Sequence, residues 1–242
     1  MALRKQILTG LASLTLLDIA AAQAQWEGFY VGGHAGYRWS DANFTSPAYS
    51  FTIPFSQTTF FPARSENYSL NGSIVGLHTG YNFMLSPIFL AGIEGDWTWG
   101  SGKDNSSATF IITDGTAIRS SEVKMTWQAT IRGRLGVVNG QWLFYGTAGA
   151  AFIHVKWSDS LSASGSFPAI AAAWSENDTL AGWTVGGGIE RMVNPNWFFR
   201  LEYLYENFGS FNVPHGFGPQ TGKLDIGDVQ KVRVGFSYKF GP

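Results

Sequence analysis

Apolar and polar residues alternate with a period of two in eight separate segments of this chain. The clearest is the last, Asp228 to Phe240. There Val232, Val234, Phe236, Tyr238 and Phe240 share one parity, and Lys231, Arg233, Gly235, Ser237 and Lys239 the other. Side chains point to opposite faces along a strand, so each segment reads as a strand with one apolar, aromatic face and one charged or small face. The connections alternate too. Four are long and polar, Ser40 to Asn67, Gly100 to Ser121, Ser158 to Asp178 and Gly209 to Gly227. Three are tight turns, Ser86-Pro87, Asn139-Gly140 and Asn194-Pro195-Asn196, of which Asn139-Gly140 is the strongest hairpin signal. Strict alternation places four loops on one rim of a sheet, with three turns and both termini on the other.

The remaining segments share the pattern. In the first, Phe29, Val31, Ala35, Tyr37 and Trp39 oppose Gly28, Gly32, His34, Gly36 and Arg38. In the second, Val75, Leu77, Thr79, Tyr81 and Phe83 share a face, and in the third Ala91, Ile93, Trp97 and Trp99 oppose Glu94, Asp96 and Thr98. The fourth sets Val123, Met125, Trp127, Ala129, Ile131, Leu135 and Val137 against Lys124, Gln128, Arg132 and Arg134. The fifth sets Leu143, Tyr145, Ile153, Val155 and Trp157 against Gly146, Ala148, Ala150, His154 and Lys156. The sixth sets Trp183, Val185 and Ile189 against Gly182, Gly186, Gly188 and Glu190, and the seventh sets Phe199, Leu201, Tyr203 and Tyr205 against Arg200, Glu202 and Glu206.

Which face meets solvent separates a soluble barrel from a membrane barrel. Only 14% of the 242 residues are charged, 16% are aromatic and 30 are Gly. Low charge without long apolar runs suits a transmembrane β-barrel, whose apolar residues are interleaved with polar ones. The charged face also carries Gly32, Gly36, Gly76, Gly80, Gly92, Gly136, Gly146, Gly182, Gly186, Gly188 and Gly235. A solvated face has no need of small residues, whereas an eight-stranded interior is only just wide enough for side chains. The aromatics gather near strand ends, Trp39, Trp97, Trp99, Trp157 and Tyr205 towards the loops and Phe83, Phe89, Trp197, Tyr238 and Phe240 towards the turns. Two such girdles mark a lipid-facing wall. The expected fold is therefore all-β, an eight-stranded antiparallel transmembrane barrel with short periplasmic turns and four long extracellular loops.

Residues 1–24 read as a cleaved secretory signal, with Arg4 and Lys5, an apolar run from Ile7 to Leu17 and Ala22-Gln23-Ala24 as the cleavage site. The barrel domain is then 25–242. There is no Cys, which excludes disulfides and thiolate metal sites, and a formal net charge of −1 offers no basic surplus for nucleic acid.

Trp26-x-Gly28-Phe29-Tyr30-x-Gly32 after the signal, the spacing of Gly32, Gly36 and Tyr37, and the aromatic-alternating terminal strand resemble the small outer-membrane barrels of the Omp25/Omp31 and opacity-protein type, often called porin family proteins. The resemblance implies an eight-stranded barrel in the bacterial outer membrane. It also implies recognition by the barrel-assembly machinery through a C-terminal strand ending in Phe. Host-cell adhesion, immune exposure or haem binding, where relatives have them, would lie on loops that differ between members.

Charges turned inward should pair, because an unpaired buried charge is costly. Glu94, Asp96, Glu190, Glu202 and Glu206 face Arg38, Lys124, Arg132, Arg134, Lys156, Arg200, Lys231 and Arg233. The expectation is an ion-pair network of Arg38, Glu94, Asp96, Arg132, Arg134, Glu190, Arg200, Glu202, Lys231 and Arg233 that plugs the lumen. His34, His78 and His154 share the lumen parity and read as members of polar networks. Their spacing fixes no Ser-His-acid geometry, and no His is placed on the outer wall where a lipid-active triad would stand. The His residues show no metal-ligand spacing. A loop site of Phe51, Phe55, Phe60 and His215 is the one candidate for an apolar ligand, with haem as its alternative cofactor; otherwise no cofactor and no metal are expected. Gly100-Ser101-Gly102-Lys103 lacks the Ser or Thr and the helix of a phosphate loop. The functional expectation is a monomeric, non-enzymatic barrel with lipid as partner and a structural and surface-interaction role. The alternatives are an extracellular ligand or host surface at the loops, and a narrow porin-like channel.

Overall fold

A computed structural model of the chain describes residues 25–52, 58–61, 63–112, 115–165, 170–214 and 221–241. The expected signal segment, 1–24, lies outside them. The strands in chain order are β1 (Gly28–Ser46), β2 (Tyr49–Thr52), β3 (Thr58–Phe61), β4 (Arg64–Ser69), β5 (Gly72–Met84), β6 (Phe89–Gly100) and β7 (Lys103–Ile112). They continue as β8 (Gly115–Asn139), β9 (Trp142–Gly165), β10 (Ile170–Asn194), β11 (Trp197–Asn207), β12 (Gly209–Pro214) and β13 (Thr221–Lys239).

These strands make eight staves of one antiparallel ring. β4 and β5 both pair with β1, β6 and β7 both pair with β8, and β11 and β12 both pair with β13, so each couple is one stave broken at a short irregularity. β13 pairs with β1 from Tyr30↔Lys239 to Thr45↔Lys223 and closes the ring. β2 and β3 form a separate hairpin. Closure matters because lipid offers no partner to an unpaired backbone N–H or C=O.

The three short turns fall where the pattern places them, at 85–88, 140–141 and 195–196. Gly140, at φ 59°, supplies the left-handed residue that the tight hairpin needs. The four long connections differ from expectation. They are largely strand: β1 runs through Ser46, β7 and β8 pair from Lys103↔Lys124 to Ile112↔Gly115, and β9 and β10 pair outward to Ala163↔Ile170. β8 and β10 are each 25 residues long. At about 3.4 Å per residue and a tilt near 40°, that is roughly 60 Å of height against an apolar band of about 25 Å. The barrel wall therefore continues well beyond the membrane on the loop side.

Outward residues from Phe29 to Trp39 on β1 bracket the membrane band, with matching exposed aromatics at both levels. Trp39, Trp97, Trp99 and Trp183 stand at the upper level, and Phe29, Phe83, Phe89, Trp197 and Phe240 at the lower. Val75, Leu77, Ile93, Ile131, Leu135, Leu201 and Val234 are exposed between them. An apolar wall flanked by aromatics is a lipid-facing surface.

Two stretches face opposite to the sequence expectation. On β9 it is Leu143, Tyr145, Ile153, Val155 and Trp157 that are buried inside, while Gly146, Ala148, Ala150 and Lys156 are exposed outside. On β8 a register shift between Met125 and Trp127 reverses parity, so Val123 and Met125 turn inward and Lys124 outward. His154 likewise leaves the lumen. It stacks on Trp127 on the outer wall, with ring centroids 5.5 Å apart. On β8 the extra residue at the shift turns the faces over, and on β9 Leu143 and Tyr145 join an apolar base at the turn end. Above the membrane the barrel interior is apolar, so inward and lipid-facing residues have the same character there.

Glycines permit close packing at the inward positions. A Cβ on Gly32 would lie 2.5 Å from both His78 Nε2 and the Phe236 carbonyl oxygen, and one on Gly149 would overlap the Ile131 carbonyl. A Cβ on Gly146 would touch nothing closer than 3.9 Å. Gly149→Val should therefore abolish or sharply reduce the compact, heat-modifiable band on gels, since overpacking costs about 1–3 kcal/mol or more. Gly146→Val should fold with a melting midpoint close to the parent's.

Candidate functional site

The inward-facing side chains form three strata. At the turn end, Trp26, Tyr30, Leu90, Val138, Leu143, Tyr145, Met192 and Phe198 pack into an apolar base. Trp26 is fully buried, and its indole N–H donates to the Gly140 carbonyl at 3.2 Å. The chain entry thus corks its own barrel. At the loop end, a larger cluster rises into the protruding wall and includes Phe44, Tyr68, Val123, Met125, Ile153, Val155, Trp157, Phe211, Val213, Leu224 and Ile226. Between the two lies a charged layer.

Sheet register builds that layer. Glu94 stands opposite Arg132, Glu190 opposite Arg200, and Glu202 opposite Arg233, each on neighbouring staves. Contacts across the lumen then join these pairs. Arg132 donates to Glu94 Oε1 at 2.5 Å, Asp96 Oδ2 at 3.0 Å and Glu202 Oε1 at 3.0 Å. Arg233 donates from Nε to Glu202 at 2.5 Å and from Nη2 to Asp96 at 3.1 Å. Arg200 reaches Glu190 at 2.8 Å and Glu94 at 2.8 Å, and Arg134 reaches Glu190 at 2.9 Å and Glu94 at 3.3 Å. All of these side chains are buried. Lys231 pairs with Glu206 at 2.5 Å.

Arg38 differs from the other arginines. Its nearest polar partner is the Gln128 amide oxygen at 3.3 Å, and Gln128 in turn donates to Glu206 at 3.2 Å. Arg38 thus meets Glu206 through an intervening amide. Lys124 and Lys156, expected among the inward charges, are outside.

Two tyrosines belong to the layer and were not among the sequence candidates. Tyr30 donates to Glu94 Oε2 at 2.6 Å and accepts from Arg134 at 2.9 Å. Tyr145 donates to Glu202 at 2.8 Å and lies 4.1 Å from the Arg134 guanidinium carbon across its ring face. Each joins the charged layer to the apolar base, with the ring below and the hydroxyl above. The signal available was parity: Tyr30 shares its parity with Gly32, His34 and Arg38 on β1.

His34 and His78 are buried side by side at the edge of the layer. Their Nδ1 atoms are 3.3 Å apart, His34 Nε2 lies 2.9 Å from Thr98 Oγ1, and His78 Nε2 lies 2.7 Å from Ser237 Oγ. Ser237 thus has an imidazole partner, but the second ring nitrogen of that imidazole faces another imidazole and not a carboxylate. A Ser-His-acid relay needs an acid at that place to hold the tautomer. Of the loop candidates, Phe55 and His215 lie outside the described residues, and only the backbone of Phe51 and Phe60 is described, in β2 and β3.

Above the upper cluster, Arg119 pairs with Asp159, and Arg64, Glu66, Tyr68 and Ser121 join through hydrogen bonds. Burial and the Glu66 carboxylate push the Tyr68 phenol above its ordinary range.

A ring of eight staves with an apolar outer band, two aromatic levels and a charged, packed interior is an outer-membrane β-barrel. Sequence comparison agrees: a family model described as outer membrane protein beta-barrel domain matches residues 9–240. The chain belongs to that family, among the Omp25/Omp31-like proteins. It is 33% identical over 219 residues to the 31 kDa outer-membrane immunogenic protein of Brucella melitensis, covering 89% of this chain and 84% of that one. To the 22 kDa outer membrane protein of Rhizobium leguminosarum bv. viciae it is 31% identical, over 89% and 78% of the two chains. Among solved structures it is similar to the outer membrane protein OprG from Pseudomonas aeruginosa, at a TM-score of 0.47 and 15% identity, covering 89% of this chain and 97% of that one.

Removing one member of the charged layer leaves its partners buried and uncompensated. Arg132→Met strips a cation from Glu94, Asp96 and Glu202 together, at a cost of about 3–5 kcal/mol. Its urea midpoint in detergent should fall well below that of Lys223→Gln, an exposed control on the protruding wall.

Proposed function

We propose that this chain is a non-enzymatic, non-conducting outer-membrane barrel that acts as a structural element of the membrane and carries an interaction surface outside it. The observation behind the first part is the stratified lumen. An ion would have to cross the apolar base around Trp26, the arginine–carboxylate layer and the upper apolar cluster in turn. Each stratum draws on several staves, so no one loop serves as a gate. The paired charges are also held by one another, since Glu94 alone is shared among Arg132, Arg134 and Arg200.

The second part rests on the height of the wall. Paired strands outside the membrane hold their side chains in fixed register, which suits a recognition surface better than a mobile loop. The relatives named immunogenic support exposure of that surface to the outside. The chain works as a monomer, and its last strand, followed by Phe240, is the element that assembly machinery would read.

Purified, refolded protein in a planar bilayer should give no stepwise conductance at neutral pH. Large, stable unitary currents would overturn the closed-lumen reading. Antibodies raised against the folded protein should label intact cells, and labelling only after permeabilisation would overturn the surface role.

A further inference from the structure

Three lysines stand side by side on adjacent strands just above the upper aromatic level. Lys103 is the Cα partner of Lys124 across β7 and β8, and Lys124 is the partner of Lys156 across β8 and β9. All three are exposed on the outer wall, since Val123, Met125, Val155 and Trp157, their chain neighbours, are buried inside. Like charges directly opposite one another destabilise a sheet. Among the described residues one carboxylate relieves the row, Glu122, which lies 3.6 Å from Lys103 Nζ.

Immediately below the row, on the same wall, Trp99 is the partner of Trp127 and Trp127 of His154. Trp97 stacks on Trp127 at 4.5 Å, and Trp127 stacks on His154 with planes 3° apart. Aromatic belts mark the height at which acyl chains give way to head groups. The lysines therefore stand at head-group height in a row parallel to the Trp99–Trp127–His154 row, with aliphatic stems able to lie along the belt and ammonium groups above it. On the far side of the ring, around β1 and β13, the exposed charges include Asp41, Asp225 and Asp228. Cationic character at this height is thus concentrated on one side of the barrel.

We propose that Lys103, Lys124 and Lys156 bind the phosphate groups of anionic lipid in the outer leaflet, with the Trp97–Trp127–His154 stack receiving the upper part of its acyl chains. The occupant is lipid and not a soluble polyanion, because the row is continuous with the lipid-facing wall and lies directly above the Trp99–Trp127–His154 row. Repulsion among three registered lysines is then relieved by the bound phosphate.

The test uses the full chain folded in zwitterionic detergent. Phosphatidic acid, a lipid phosphate monoester, is titrated while tryptophan fluorescence and the melting midpoint of the compact gel band are read. Binding should saturate and weaken with added salt. The double variant Lys124→Gln/Lys156→Gln should bind about thirtyfold more weakly, yet melt higher than the parent without phosphatidic acid, because the opposed charges are gone. Lys223→Gln should leave the affinity unchanged. Inorganic phosphate and phosphatidylcholine at equal concentration should bind far more weakly than phosphatidic acid. The proposal is overturned if the double variant binds phosphatidic acid as tightly as the parent. It is equally overturned if inorganic phosphate, phosphatidylcholine or soluble polyphosphate binds the parent as tightly as phosphatidic acid.

Discussion

Hydrogen-bond closure between β1 and β13 is the constraint on which the rest of the structure depends. A bilayer supplies no partner for a backbone edge, so the sheet must end on itself. Closing a sheet of eight staves sets the bore, and a bore of that size leaves room only for side chains. Glycine then becomes necessary wherever large residues approach, as Gly32 does beside His78 and Ser237. Charges enter the bore because polar residues must alternate with the lipid-facing ones. Once inside, they must find each other.

The charged layer meets that demand by sharing. Each carboxylate of the central group accepts from more than one guanidinium, and each guanidinium spreads over more than one carboxylate. The planar, multiply donating guanidinium suits this better than an ammonium. Lys231 fits the same logic with its single short contact to Glu206. Tyr30 and Tyr145 add hydroxyls that donate to carboxylates from the apolar side, so the boundary between oil and charge is itself hydrogen-bonded.

Much of this was legible in the sequence where parity carried information. Strand count, turn positions and the inward set on β1, β5, β6, β11 and β13 follow from a period of two, because within the membrane band inside is polar and outside is apolar. Legibility stopped where that contrast stopped. On β9 small residues face outward and Ile153, Val155 and Trp157 face an apolar interior, so both faces read as apolar and parity alone does not say which is inside. On β8 one extra residue between Met125 and Trp127 turned Lys124 outward, and a single bulge leaves no mark in a period-two pattern. The protruding strands were hidden for a related reason. Ser- and Thr-rich stretches such as Lys103–Ile112 have the composition of loops, and only pairing with β8 makes them strand. Side-chain reach was also invisible: parity turned Arg38 inward, but it could not show that Gln128 would stand between it and Glu206.

The charged layer also bears on the order in which the barrel forms. Its members come from β1, β6, β8, β9, β10, β11 and β13, and contacts such as Arg132–Glu202 and Arg233–Asp96 join the two halves of the chain. Until the last strand arrives with Lys231 and Arg233, Glu206 and Glu202 lack their neighbouring cations, and a bilayer is a hostile place for such a chain. The layer is therefore complete only when the C-terminal strand, which supplies Lys231 and Arg233, has docked against both of its neighbours.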